Sequence, residues 1–110
     1  MRTRSAKAKG RRGGLEAAQL IVKYLKCEEG DVYVVPSGVP GKDLLLSPQL
    51  TKKFPYSIEV KNVEKLNIWS SIEQAKSNEE NGEPFLLFFK RNRSEMFVAM
   101  RAETFLERFK

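Results

Sequence analysis

The sequence predicts a single α/β domain in which a mixed central sheet is flanked by helices. Three observations carry that prediction. The chain has 110 residues, and about 100 to 200 residues make one domain. Hydrophobic residues make up 41% and aromatics 10%, enough for a core beneath a surface that is 31% charged. Segments of helical period alternate with β-branched and aromatic runs, and residues 85–89 (FLLFF) are apolar on both faces, as a buried central strand requires.

Taken in order, Leu15, Ala18, Val22 and Leu25, with Ile21 beside them, form an apolar stripe and predict a helix of about 13 residues entered through Gly13 and Gly14. Residues 31–35 (DVYVV) predict a first strand ended by Pro36. Residues 36–41 are turn-forming throughout, and residues 42–46 follow as a second strand. Residues 47–55 read as a polar connection. Residues 56–61 alternate strictly, with Tyr56, Ile58 and Val60 on one side and Ser57, Glu59 and Lys61 on the other, which makes a third strand. Ser70 with Glu73 resembles a capping box, and Gly82 with Pro84 supplies a stop, giving a second helix over 71–81. Two strands, 85–89 and 96–100, and a short helix carrying Phe105, Leu106 and Phe109 close the domain.

Composition narrows the chemistry. With no histidine and one cysteine, Cys27, the chain has neither a disulfide nor a zinc ligand set, and imidazole-based triads are excluded. Catalysis must therefore run on carboxylates, lysine or a metal-activated water. The lone thiol and the lack of an apolar signal core or membrane-length run predict a cytoplasmic protein that does not enter a membrane. The net charge of +6 resides in residues 1–12, where Arg2, Arg4, Lys7, Lys9, Arg11 and Arg12 stand without an acid. This composition predicts a flexible basic arm ahead of a domain spanning 13–110, and a polyanion as its partner.

Charged residues on a strand in the middle of the chain need a use. Glu59 and Lys61 share one strand face about 6–7 Å apart, and hairpin pairing would bring Asp43 beside Glu59. Two converging carboxylates need a cation, and hard oxygen ligands that leave the ion partly hydrated suit Mg²⁺. Glu16, at the edge of the first helix's apolar stripe, offers a third ligand, and the Gln74 amide offers a group to orient a phosphate or water.

The joint order of these residues resembles the PD-(D/E)xK nuclease superfamily, and within it the archaeal-type Holliday junction resolvases. The likeness rests on the run KGRRGGLE from Lys9 to Glu16, the run PSGVPGKD from Pro36 to Asp43, and EVK from Glu59 to Lys61, followed by Gln74. It extends over roughly residues 7 to 100. Lys42 departs from it, standing where the proline of the superfamily's name usually precedes the aspartate. The resemblance implies a restriction-endonuclease-like core (αβββαβ) and a Mg²⁺-dependent endonuclease, with Mn²⁺ able to substitute, that cuts four-way or branched DNA as a homodimer in recombination and repair. It implies that Asp43, Glu59, the Val60 carbonyl and Glu16 hold the metal. Lys61 and Gln74 would complete the catalytic set. Arg4, Lys7, Lys9, Arg11, Arg12, Lys52 and Lys53 would bind DNA phosphates, and Trp69 and Tyr33 are the aromatics available for stacking on bases. Two rival readings share these residues: another nuclease of the superfamily, and a non-catalytic basic DNA-binding module in which Glu59 and Lys61 make a surface ion pair.

Overall fold

The computed structural model describes residues 3–110 and has the predicted class. In chain order it comprises α1 (Arg4–Leu25), a 3-10 turn (Glu29–Asp31), β1 (Val32–Val34), β2 (Leu44–Leu46), α2 (Pro48–Lys53), β3 (Ser57–Asn62), α3 (Ile68–Ser77), β4 (Phe85–Lys90), β5 (Phe97–Ala99) and α4 (Ala102–Glu107). The strands form one five-stranded sheet in the order β1-β2-β3-β4-β5. Of these neighbours β3 and β4 run parallel, joined by the crossover through α3, and the others are antiparallel. No helix among the described residues is long and apolar enough to cross a membrane.

The strict alternation of β3 sorts the core into two layers. Ile58 and Val60 face α1 together with Leu86 and Phe88 of β4. Phe85, Leu87 and Phe89 face α3, where they meet Ile68, Ile72 and Ala75. Both faces of β4 are thus covered, which accounts for its unbroken apolar run.

The first helix differs from its expected form. It starts at Arg4, capped by the Thr3 hydroxyl, which accepts from the Ala6 N–H. Residues 4–12, expected as a flexible arm, are therefore helical, while Arg2 lies outside the described residues. Ala, Lys and Arg are strong helix formers, and the segment docks on the domain: the Lys9 ammonium meets Glu64 at 2.6 Å and the Lys9 carbonyl accepts from Asn62 at 2.9 Å. Charge content suggested disorder, but helix propensity and these two anchors outweigh it. The buried face is also rotated from the expected stripe. It consists of Gly13, Gly14, Ala17, Ala18 and Ile21, and Leu15 is half exposed.

Gly13 and Gly14 accordingly lie within the helix rather than at its entry, and they set its distance from the sheet. A Cβ on Gly13 would lie 2.8 Å from the Asn62 Cβ, and one on Gly14 would lie 3.0 Å from a Val34 methyl. Alanine gains about 1 kcal/mol of helix propensity over glycine. At Gly13 that gain is expected to be outweighed, because the clashing atom is fixed to the β3 backbone and relief means lifting the helix. Gly13→Ala should lower the urea-unfolding free energy by about 1–3 kcal/mol. Gly14→Ala, opposed only by a rotatable methyl, should change it less.

Two further elements depart from expectation. Residues 48–53 form α2 rather than a polar connection: Ser47 caps it by accepting from the Leu50 N–H, Pro48 occupies the first turn, and Leu50 is buried. α3 begins three residues earlier than expected, because Asn67 caps it through the Ser70 N–H. Ser70 is thus inside the helix, and Glu73 pairs with Lys76 instead of closing a capping box. α3 also ends earlier, at Ser77. α4 starts at Ala102 and leaves Phe105, Leu106 and Phe109 exposed.

Candidate functional site

The site forms where the sheet opens between β2 and β3. Only Leu44 and Ile58 pair across these strands, which places Asp43 opposite Glu59. Asp43 turns the chain out of the sheet: its N–H donates to the Ile58 carbonyl at 3.0 Å, while its own carbonyl accepts from the Val35 N–H at 2.9 Å. Its carboxylate then accepts from the Val60 N–H at 2.8 Å. The N–H and C=O of a strand residue point to the same edge, so the Val60 carbonyl is aimed into the same gap. Gly41, at φ 102°, takes a backbone conformation that only glycine adopts without strain, and it lets the loop reverse directly before Asp43.

Around this gap lies a cleft of about 390 Å³. Asp43, Val60 and Lys61 line it from the sheet, Gln74 and Asn78 from α3, Gly10, Arg11 and Gly14 from α1, and the loop 35–41 forms its remaining wall. Glu59 is only 2% exposed and accepts a 2.8 Å hydrogen bond from the Asn78 amide. Asn78 also donates to the Gly41 carbonyl at 3.2 Å, so one side chain ties α3, the loop and the buried carboxylate together. Lys61 forms no ion pair among the described residues. The surface pairing of Glu59 with Lys61 considered from the sequence is therefore replaced by a buried Glu59 bonded to Asn78.

Burial, and next the neighbouring Asp43 charge, push the Glu59 carboxyl up from its ordinary value near 4.5 to about 7, against the opposing pull of the Asn78 hydrogen bond and the Lys61 charge. The native protein then holds a proton that the unfolded chain releases. The stability this group contributes is complete below about pH 4.5 and is lost as pH rises toward 7. Urea-unfolding free energy is expected to fall by about 1–3 kcal/mol between pH 5 and pH 8, and the fall should be largely absent in Glu59→Gln. Asp31, Glu64 and Glu79 do not blur that window. Hydrogen bonds, mainly from Ser47, Lys9 and Arg101 respectively, hold their carboxyls below the ordinary range.

The predicted site residues divide into those the fold gathers and those it does not. Asp43, Glu59, Val60, Lys61 and Gln74 converge, and Arg11 reaches the same cleft. Glu16 does not join them. It lies on the side of α1 away from Gly10 and Gly14, and pairs with Lys90 of β4 at 3.1 Å. The reason is angular, since two residues of helix turn Glu16 about 200° from Gly14. Lys42, at the position of the superfamily's proline, is drawn outward to Glu80 and Glu83 at 3.2 and 3.6 Å. Among the basic residues, Arg4 and Arg12 are exposed on α1 and Lys7 on its first turns, and Lys52 is exposed on α2. Lys9 and Lys53 serve the fold: Lys9 binds Glu64, and Lys53 donates to the Leu25 carbonyl at 2.7 Å at the end of α1. Trp69 and Tyr33 are both largely exposed, on α3 and β1.

Asn78 is the functional candidate that sequence reasoning missed. The only signal for it was its place next to the end of the second helix, where Asn commonly caps.

Among the described residues no group of three or more His, Cys, Asp and Glu side chains is arranged to hold a metal ion. Two carboxylates and a backbone carbonyl nevertheless suit a hard ion that keeps much of its water, as Mg²⁺ does. No protein-family model, curated protein or solved structure matches the chain.

Proposed function

We propose that this chain is a Mg²⁺-dependent endodeoxyribonuclease with a restriction-endonuclease-like core, acting on branched DNA of the four-way-junction kind. One observation carries the reading: Asp43, Val60 and Lys61 line a single cleft at the break between two central strands, and Glu59 is buried behind it, bonded to the lining residue Asn78. Asp43, Glu59 and the Val60 carbonyl would hold the ion. When bound, Mg²⁺ supplies Lewis acidity toward a phosphoryl oxygen and lowers the pKa of a coordinated water.

The chain's own groups do the rest. Asp43 is held in place by the Val60 N–H and Glu59 by Asn78, so both carboxylates are pre-oriented before any ligand arrives. Lys61 supplies an ammonium beside them, suited to the negative charge that grows on the phosphate as a water attacks phosphorus and the P–O bond breaks. Gln74 offers its amide to a phosphate oxygen or to the attacking water. Arg11 in the cleft, with Arg4, Lys7 and Arg12 along α1, makes a cationic track leading to it, and phosphate contacts of this kind position DNA without reading its sequence.

Gel assays of four-way, flapped and linear duplex DNA, each with Mg²⁺ and with EDTA, test the reading. Mg²⁺-dependent cleavage favouring branched substrates is expected. Equal cleavage of all three would shift it to another nuclease of the superfamily, and binding without cleavage in Mg²⁺ or Mn²⁺ would overturn it.

A further inference from the structure

The basic half of α1 stands between two surfaces. On one side Gly10, Arg11 and Gly14 line the cleft. On the other, Lys9 and Glu16, two turns apart, are fastened to Glu64 and to Lys90 of β4 at 2.6 and 3.1 Å. Arg4, Lys7 and Arg11, at spacings of three and four, form a stripe that leads into the cleft. Arg12 is turned about 100° from Arg11 and lies between Lys9 and Glu16, so it carries the positive charge over the helix toward β4.

That charge continues on the turn between β4 and β5. One oxygen of Glu64 accepts from the Lys9 ammonium and from the Asn92 N–H, both at 2.6 Å, which staples the turn 91–94 beside α1. Arg91 and Arg93 are exposed on it, and neither they nor Arg12 has an ion-pair partner among the described residues. Of the two carboxylates that line the groove beside the turn, Glu64 is neutralised by Lys9, which leaves Glu95 against three free arginines. Arg93 takes φ 61°, a left-handed conformation that suits glycine better. An arginine kept at a position glycine would fill with less strain points to a use for its guanidinium.

We propose that Arg12, Arg91 and Arg93 form a second phosphate-binding surface, set apart from the cleft by α1, and that the two surfaces take two diverging arms of one branched DNA. Each guanidinium can grip a phosphate through two N–H groups, and such contacts position a duplex without reading its sequence. The preference for a branch follows from shape. A straight duplex meets a convex helix along one line and must bend to reach both flanks, whereas a branched DNA already presents its arms at an angle. The three arginines therefore set the discrimination between branched and linear DNA, while Arg4, Lys7 and Arg11 serve either. That the polyanion is DNA rests on the nuclease reading, and the second surface rests on the placement of its charges.

Fluorescence anisotropy of the full chain in EDTA, with four-way and linear duplex DNA of equal base-pair count, measures binding apart from cleavage. The unaltered protein should bind four-way DNA at least about tenfold more tightly than linear duplex. In Arg91→Ser/Arg93→Gly the four-way affinity should fall at least about tenfold and the linear affinity less than about threefold. The slope of log K against log salt for four-way DNA should become shallower by roughly 1.8, two phosphate contacts at about 0.9 each. Arg93→Gly alone should leave the melting temperature close to that of the unaltered protein, because relief of the left-handed strain offsets the freedom glycine gains on unfolding. Equal affinity of the unaltered protein for both DNAs would overturn the inference, as would equal losses on both in the double variant or no loss on four-way DNA. None of these outcomes touches the nuclease reading, which fails instead if the protein keeps its four-way preference yet cuts nothing in Mg²⁺ or Mn²⁺.

Discussion

Asp43→Asn or Glu59→Gln is expected to reduce Mg²⁺-dependent cleavage of branched DNA by at least about 1,000-fold, because each change removes one of the two carboxylates available to the ion. DNA binding should persist or tighten, since either change removes negative charge beside a phosphate. The fold should tolerate both. In Glu59→Gln the amide oxygen can keep accepting from Asn78, and in Asp43→Asn it can keep accepting from the Val60 N–H. Thermal melts give a readout independent of activity: Mg²⁺ should raise the melting temperature of the unaltered protein at pH 7.5 and have little effect on either variant. Undiminished cleavage in either would show that the acting site lies elsewhere.

Lys61→Met should lower kcat by about 100- to 1,000-fold with little change in KM, the pattern of a group whose interaction strengthens only as charge develops. The apolar stem of methionine preserves packing on β3, so the loss reports the missing ammonium. Lys61→Arg should recover part of the activity by restoring the charge at a different reach. A proportional rise in KM with kcat unchanged would instead make Lys61 a DNA-binding residue, to be measured by salt dependence.

How much of this site could be read from sequence depends on how local each signal is. The pairing of Asp43 with Glu59 was legible because antiparallel strands of fixed period leave few registers, and the alternation from Tyr56 to Lys61 assigned each side chain a face. The placement of Glu16 was not, because a helix's rotation is decided by what it packs on. Here the two glycines turn the helix by lying flush against Asn62 and Val34. The length of α1 was obscured for a related reason: a cationic run looks disordered until Glu64, 55 positions away, is known to bind Lys9. Asn78 was illegible because its role joins three segments distant in sequence. The short helix α2, by contrast, had a local signal in Ser47 followed by Pro48, a cap and a first-turn proline.

The parallel pairing of β3 with β4 governs when the cleft can exist during synthesis. β3 holds Glu59 and Lys61, but its far edge has no partner until residues 85–90 have left the ribosome. Asn78, which orients Glu59, belongs to the crossover that only this pairing presses onto the sheet. The Glu16–Lys90 ion pair, spanning 74 positions, closes α1 over the finished strands. Contacts this remote in sequence form late, because the entropy of closing the intervening chain must be met first. A nascent chain therefore exposes its basic N-terminal helix well before Asn78 is in place to orient Glu59.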